Sequence, residues 1–196
     1  MKNVLEFLES SAPRFTDKTA FSGGEESLSF SELLRLSRAG GSALIAHGLK
    51  KEPVAVFMKK EPRTIAAFFA VIYAGCFYVP LDASMPLYRL QMILGKLLPR
   101  AVICDEDSRE LAERLSPEGS VIEASELFKA EENAAALDAV RAQSIDTDPV
   151  YIVFTSGSTG VPKGVTGCHR ALIDYANALC PVIGADEESV FAMQVP

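Results

Sequence analysis

Short apolar runs alternate with helical patterns through the middle of the chain. Apolar runs at 54–58, 77–81, 101–104 and 120–123 predict strands, and the segments between them, at 61–74, 86–98 and 108–115, predict helices. Continuously apolar strands that alternate with helices indicate a parallel sheet covered on both faces. We therefore predict an α/β fold with a mostly parallel sheet flanked by helices.

The pattern before this region predicts smaller elements. A helix is expected at 2–11, two short strands at 19–22 and 27–28 around a Gly23-Gly24 turn, and a long helix at 31–47. Ser29 and Glu32 have the Ser-x-x-Glu spacing of a capping box, which predicts where the long helix begins. Gly40 and Gly41 weaken the middle of that helix by about 1 kcal/mol each, so we expect close helix packing there.

The pattern after this region is more polar. Residues 128–148 predict a surface helix and a linker, and residues 150–155 begin a new strand. After the return to Val165, a short turn leads to a helix at 169–179, and residues 190–195 predict another strand. We expect residues 1–145 to form a first α/β subdomain and residues 146–196 to begin a second.

The segment that follows the strand at 150–155 carries the chemistry. It contains small hydroxyl residues and glycines, one lysine and then an apolar residue. Glycines let successive N–H groups converge on an anion, hydroxyls add hydrogen-bond donors, and lysine adds a positive charge. The same residue types also occur in polar hairpins. The fixed spacing of Gly157, Gly160, Pro162 and Gly164 favours a phosphate-binding loop.

This loop differs from the common P-loop. Pro162 precedes Lys163 and Gly164 follows it, so no hydroxyl lies next to the lysine to bind magnesium. The segment resembles the signature loop of the adenylate-forming enzymes, which include acyl-CoA synthetases, luciferases and amino-acid-activating domains. Their pattern is Thr-Ser-Gly-Ser/Thr-Thr-Gly-x-Pro-Lys-Gly-Val, often with a histidine four residues later. The chain supplies every element, with His169 in the last position.

Two further blocks narrow the resemblance. Residues 77–82, with Pro86, Arg89 and Leu90, resemble a block of domains that activate amino acids for carrier-protein loading. Residues 28–33 resemble the first block of the same domains. The chain is thus similar to D-alanine–carrier-protein ligases and to adenylation domains of non-ribosomal peptide synthetases. Both blocks also have structural explanations. Residues 28–33 contain the capping box of Ser29 and Glu32. In the other block, Arg89 could pair with Asp82 or cover apolar surface with its stem.

The resemblance implies that the chain is the front part of a large N-terminal domain and is truncated. Residues for adenine, ribose and the acid side chain, and a small C-terminal domain, are expected downstream, so we expect the fragment alone to be inactive. The complete enzyme is expected to use ATP and Mg²⁺ and to form an aminoacyl-AMP with release of pyrophosphate. A carrier protein's phosphopantetheine thiol then takes the amino acid.

The resemblance also assigns roles within the loop. Hydroxyls and N–H groups are expected to hold the β- and γ-phosphate oxygens, and Lys163 is the expected catalytic residue, adding charge where pyrophosphate leaves. The expected ATP-binding residues are Thr155, Ser156, Gly157, Ser158, Thr159, Gly160, Lys163 and Gly164. His169 could act as an acid, a base or a ligand. We expect it instead to pack against or hydrogen-bond the preceding loop, because the substrate carboxylate is already ionised.

Two other functions remain open. One is an acyl-CoA or aryl-acid ligase of the same superfamily, although residues 78–82 favour amino-acid activation. The other is a non-catalytic protein that binds nucleotide weakly or only offers an interaction surface.

Composition restricts the partners. The chain has 196 residues, of which 48% are hydrophobic and 23% charged, which suits a soluble globular domain with a core. A net charge of −7, with no basic cluster beyond Lys50-Lys51 and Lys59-Lys60, argues against nucleic acid. Four cysteines without Cys-x-x-Cys spacing, and two histidines, predict no metal site. Charges among the apolar residues at the start of the chain do not match a secretion signal, which predicts a cytoplasmic location. The uncharged stretch 64–81 predicts a buried helix and strand, not a membrane span.

Overall fold

A computed structural model of the chain describes residues 1–116, 120–155 and 161–192. In that part of the chain the strands are β1 (Thr19–Gly23), β2 (Glu26–Ser29), β3 (Pro53–Phe57), β4 (Phe77–Pro80), β5 (Ala101–Cys104), β6 (Ser120–Glu123), β7 (Pro149–Thr155) and β8 (Lys163–Cys168). The helices are α1 (Leu5–Ser11), α2 (Phe30–Ala46), α3 (Pro62–Tyr73), α4 (Leu87–Leu97), α5 (Arg109–Leu115), α6 (Ala124–Leu127), α7 (Ala134–Ala142) and α8 (His169–Ile183).

Among the described residues, the main sheet has six strands in the order β6-β5-β3-β4-β7-β8. All neighbouring pairs are parallel except β7 and β8, which are antiparallel. The predicted α/β fold with a mostly parallel sheet is therefore confirmed. β1 and β2 form a separate antiparallel hairpin around Gly24, whose φ of 62° suits glycine. β7 joins the sheet through β4, while the division into subdomains at residue 145 stays a prediction.

Helices cover both faces of the sheet, so the central strand β3 is buried on both sides. Val54 and Val56 belong to a core cluster with residues of α2 and α3. Ala55 and Phe57 belong to a second cluster with residues of α4 and α5. Alternate side chains of a strand point to opposite faces, so the continuous apolar run predicted this two-sided burial.

The glycine pair in α2 allows the close contact with α3 that we expected. A Cβ added to Gly40 would lie 2.7 Å from the Cβ of Ala70, and one added to Gly41 would lie 2.5 Å from the Cβ of Tyr73. Real Cβ atoms do not approach other atoms this closely, so both positions exclude larger residues. The glycines weaken α2 locally but let the two helices pack against each other.

The predicted capping box begins α2. The N–H of Glu32 donates to Ser29 Oγ at 3.2 Å, and the N–H of Ser29 donates to Glu32 Oε2 at 2.9 Å. Each side chain thus satisfies a backbone donor that the first turn of a helix leaves unpaired.

The region predicted as a surface helix and linker is more closely attached to the core than its composition suggested. α7 is a helix, but Leu137 on it is buried in a cluster with Ile72 and Tyr73 of α3. The N–H of Asn133 donates to Ser42 Oγ at 2.9 Å. One buried leucine among alanines gives too weak a periodic signal to predict this packing.

The C-terminal region departs from the prediction in two ways. α8 continues past residue 179 and through Pro181, and ends at Gly184, which has a φ of 64°. Residues 190–192 are not in a strand, so this part of the predicted strand at 190–195 is wrong, and residues 193–195 lie outside the described residues. The uncharged stretch 64–81 is divided between α3 and β4, and no helix in the described ranges is long and apolar enough to span a membrane.

Candidate phosphate-binding hairpin

Thr155 and Lys163, which lie on either side of residues 156–160 in the predicted phosphate-binding segment, belong to the antiparallel pair of strands β7 and β8. Thr155, the last residue of β7, is paired with Lys163, the first residue of β8. β7 also runs parallel to β4, with Tyr151 paired to Tyr78, so Thr155 lies at the edge of the sheet where the parallel strands end. A hairpin and a phosphate-binding loop, which the sequence presented as competing interpretations, are therefore compatible.

Strand β8 was not among the predicted elements. The sequence pattern predicts a short turn between Val165 and the helix at 169, whereas residues from Lys163 to Cys168 form a strand. Two glycines and a threonine in this strand hide the alternation of apolar and polar residues that identifies strands. Local sequence preference does not favour a strand here, and the hydrogen bonds to β7 stabilise the strand conformation of β8.

Thr155 and Lys163 are the described residues best placed to contact an anion. Both are exposed, and directly opposed residues of an antiparallel pair project from the same face. Thr155 Oγ1 donates to the backbone carbonyl oxygen of Lys163 at 3.5 Å, a long hydrogen bond between the end of β7 and the beginning of β8. The ion pairs of the described residues do not include Lys163. This edge of the sheet therefore exposes a cation next to a hydroxyl.

The other predicted ATP-binding residues divide into two groups. Gly164 lies in β8, where its neighbours are the side chains of Ile152 and Phe154 on β7. Five residues lie outside the described part of the chain, and their predicted roles stay predictions: Ser156, Gly157, Ser158, Thr159 and Gly160.

His169 joins the end of the hairpin to the beginning of the chain. Its side chain is 3% exposed, and the N–H of Val4 donates to Nδ1 at 3.2 Å. Nε2 lies 3.4 Å from Nδ2 of Asn3. Burial lowers the pKa of His169, because desolvation disfavours the charged imidazole. His169 is thus a buried structural residue as expected, and its side-chain partners among the described residues lie in the N-terminal segment.

The junction between β8 and α8 has a second attachment. The guanidinium of Arg170 donates two hydrogen bonds to the carboxylate of Asp146, at 2.8 and 2.9 Å. The backbone N–H of His169 donates to the carbonyl oxygen of Asp148 at 3.3 Å. The strand that carries Lys163 is therefore held at its far end, which restricts how the hairpin can tilt.

The block at 77–82 builds the strand next to the hairpin. The ring of Tyr78 stacks on Phe68 with a centroid distance of 4.2 Å and lies 6.0 Å from the ring of Tyr151. Burial raises the pKa of Tyr78 to about 12. This aromatic group fixes β7 against β4, which agrees with a structural role for the block.

Arg89 does not pair with Asp82, the first of the two roles considered for it. Asp82 Oδ1 instead accepts a hydrogen bond from the N–H of Ser84 at 2.7 Å. Arg89 Nε is buried without a hydrogen-bond partner among the described residues. The half-buried stem of this side chain agrees with the second role, cover for apolar surface.

Comparisons with known proteins identify the family of this chain. A family model described as AMP-binding enzyme matches residues 8–196. A D-alanine–D-alanyl carrier protein ligase of Listeria monocytogenes is 31% identical over 198 residues, and the match covers 99% of this chain. This chain spans only 38% of the length of that ligase.

Solved structures share the fold. VinN in complex with 3-methylaspartate has a TM-score of 0.79 at 23% identity, over 93% of this chain and 52% of VinN. The non-ribosomal peptide synthetase FmoA3, with bound α-methyl-L-serine-AMP, has a TM-score of 0.79 at 24% identity, over 93% of this chain and 19% of FmoA3. Since the family model covers nearly the whole chain, this protein belongs to the family of AMP-binding enzymes.

Proposed function

We propose that the complete protein is an ATP-dependent ligase that activates an amino acid, with D-alanine as the first candidate. The carboxylate attacks the α-phosphorus of ATP, forming aminoacyl-AMP as pyrophosphate leaves. The phosphopantetheine thiol of a carrier protein then attacks the acyl carbon, and AMP leaves. Membership of the AMP-binding family and the 31% identity to a D-alanine–D-alanyl carrier protein ligase support this proposal.

One observation carries the proposal: Lys163 lies directly opposite Thr155 at the tip of the hairpin, exposed and outside the ion pairs of the described residues. A lysine ammonium is a compact positive charge that binds phosphate oxygens, and a threonine hydroxyl donates a hydrogen bond to them. Transfer at phosphorus depends mainly on alignment and charge neutralisation. Lys163 would therefore act on the leaving pyrophosphate, and Thr155 would help to hold it in line.

Thr155 and Lys163, the described residues proposed to contact ATP, suit an anionic ligand, and neither carries the carboxylate through which proteins often bind magnesium. Magnesium in nucleotide enzymes keeps several waters and binds largely through substrate phosphates. When bound with ATP, it neutralises charge on the phosphate oxygens. Lys163 and Thr155 would contact oxygens of the same triphosphate from the hairpin side.

Pyrophosphate exchange by the complete protein, measured across a panel of amino acids that includes D-alanine, tests the proposal. We expect Lys163→Ala to slow the exchange by about 100- to 1,000-fold, the effect of removing one group that stabilises transition-state charge. Amino-acid binding should weaken much less. Lys96→Ala is the matched control, because Lys96 is an exposed lysine in the last turn of α4, outside strands β7 and β8. Equal exchange rates for Lys163→Ala and the parent would reject the catalytic role.

The same panel separates the other functions. Exchange with fatty or aryl acids, followed by transfer to coenzyme A, would identify an acyl-CoA or aryl-acid ligase. A folded complete protein that gives no exchange with any acid would instead support a non-catalytic binding role.

A further inference from the structure

Strand β8 contains two glycines on opposite faces, and each lies under a side chain of β7. A Cβ added to Gly164 would be 2.8 Å from Ile152 Cγ2. A Cβ added to Gly167 would be 2.5 Å from both Cε1 and Cζ of Tyr151. These distances are shorter than real Cβ atoms show, so β8 fits against β7 only because both positions lack a side chain.

Backbone conformation does not explain these glycines. The glycines with positive φ in the described residues are Gly24, Gly48, Gly75 and Gly184, and neither Gly164 nor Gly167 is among them. An alanine could therefore adopt either backbone conformation, and close approach is the physical reason for glycine here.

The side chains that lie over the glycines are themselves held by the core. Tyr151 contacts Tyr78, whose ring stacks on Phe68. On the other face, Ile152 and Phe154 pack against the buried cluster that contains Val79 of β4 and Leu90 and Ile93 of α4. Since these contacts hold the side chains in place, we expect an added methyl group to displace β8.

We propose that Gly164 and Gly167 are positioning residues for Lys163. By letting β7 side chains cover β8 on both faces, they fix the register in which Lys163 lies opposite Thr155. Gly164 thus has a packing role within the hairpin in addition to its predicted contact with ATP, and Gly167 and Tyr151 join the residues that arrange the site. The kinetic part of this inference rests on the proposed function; the contact itself does not.

A double-mutant cycle in the complete protein tests the inference. Tyr151→Val removes Cε1, Cζ and the hydroxyl, the atoms that an alanine at 167 would meet. We expect Gly167→Ala to lower kcat for pyrophosphate exchange by about 10- to 100-fold, since a displacement near 1 Å can cost about 100-fold. KM for ATP should rise while KM for the amino acid stays unchanged. The double variant Tyr151→Val/Gly167→Ala should recover much of the loss relative to Gly167→Ala. Gly95→Ala is the matched control, because a Cβ at that position in α4 meets nothing within 4 Å.

The same cycle measured by chemical unfolding gives a second readout. If the contact is real, Gly167→Ala destabilises the protein less in the Tyr151→Val background than in the parent. If Gly167→Ala alone does not fold, the double variant with Tyr151→Val should fold. Additive effects in both measurements, or an unchanged rate for Gly167→Ala, would overturn the inference. A parent without exchange activity for any acid would reject the proposed function alone, and the unfolding cycle would still decide the contact.

Discussion

The buried imidazole of His169 makes stability depend on pH, with a sign that the structure determines. The pKa of His169 is lowered in the folded protein, first by burial and then by the charge of Arg141, while three carboxylates oppose this shift: Asp148, Asp146 and Glu6. Protonation would also place an N–H at Nδ1, where the N–H of Val4 already donates. The native state therefore favours the neutral ring.

The magnitude follows from the difference in proton binding. An unfolded histidine titrates with a pKa near 6.5. Below that pH the unfolded chain takes up a proton that the native state resists, so His169 destabilises the fold progressively as the pH falls. The limiting slope is about 1.4 kcal/mol per pH unit. Between pH 7.5 and 5.5 the loss of unfolding free energy from this residue is thus at most about 1.4 kcal/mol.

Urea unfolding of the 196-residue chain at pH 7.5 and 5.5 measures this effect. His169→Asn should reduce the pH dependence, because the amide oxygen can replace Nδ1 as acceptor and does not titrate. His169→Leu should lose about 1–3 kcal/mol at both pH values, since the N–H of Val4 is left buried without an acceptor. His47→Asn is the matched control, because His47 is exposed. An unchanged pH dependence in His169→Asn, or its loss in His47→Asn, would refute the reasoning.

Two further predictions concern stability and use urea unfolding of the same chain. Gly41→Ala should destabilise by about 1–3 kcal/mol, because the new methyl group would lie 2.5 Å from the Cβ of Tyr73, whereas Gly95→Ala in open space should be neutral or stabilise by up to about 1 kcal/mol. Equal effects of the two substitutions would contradict close packing as the role of Gly41. Ser29→Ala should lose about 1 kcal/mol by removing the acceptor for the N–H of Glu32, and an unchanged unfolding free energy would show that the capping box adds nothing.

Much of the fold could be predicted from the sequence because its central strands are apolar on both faces. Strands β3 and β5 are buried almost completely, so their continuous apolar sequences indicated directly that they lie in the centre of the sheet. The capping box at Ser29 and Glu32 is a local signal that needs no tertiary context. The glycine pair in α2 was also informative, because glycine weakens a helix and its presence there indicates close packing.

The remainder depended on contacts between distant parts of the chain. β8 owes its strand geometry to pairing with β7 and contains two glycines that local preference would assign to a loop. The bond from Val4 to His169 joins residues 165 positions apart, and nothing near His169 in the sequence identifies that partner. Once the β7–β8 register is known, the opposition of Tyr151 and Gly167 follows from it, so predicting β8 would have revealed that contact.

The most direct test of the central claim is a crystal structure of the complete protein with MgATP or a non-hydrolysable analogue. We expect the terminal phosphates to lie at the tip of the hairpin, with their oxygens about 2.7–3.2 Å from Lys163 Nζ and within hydrogen-bonding distance of the Thr155 hydroxyl. A triphosphate bound elsewhere, with residues 155–164 making no contact to it, would contradict the account.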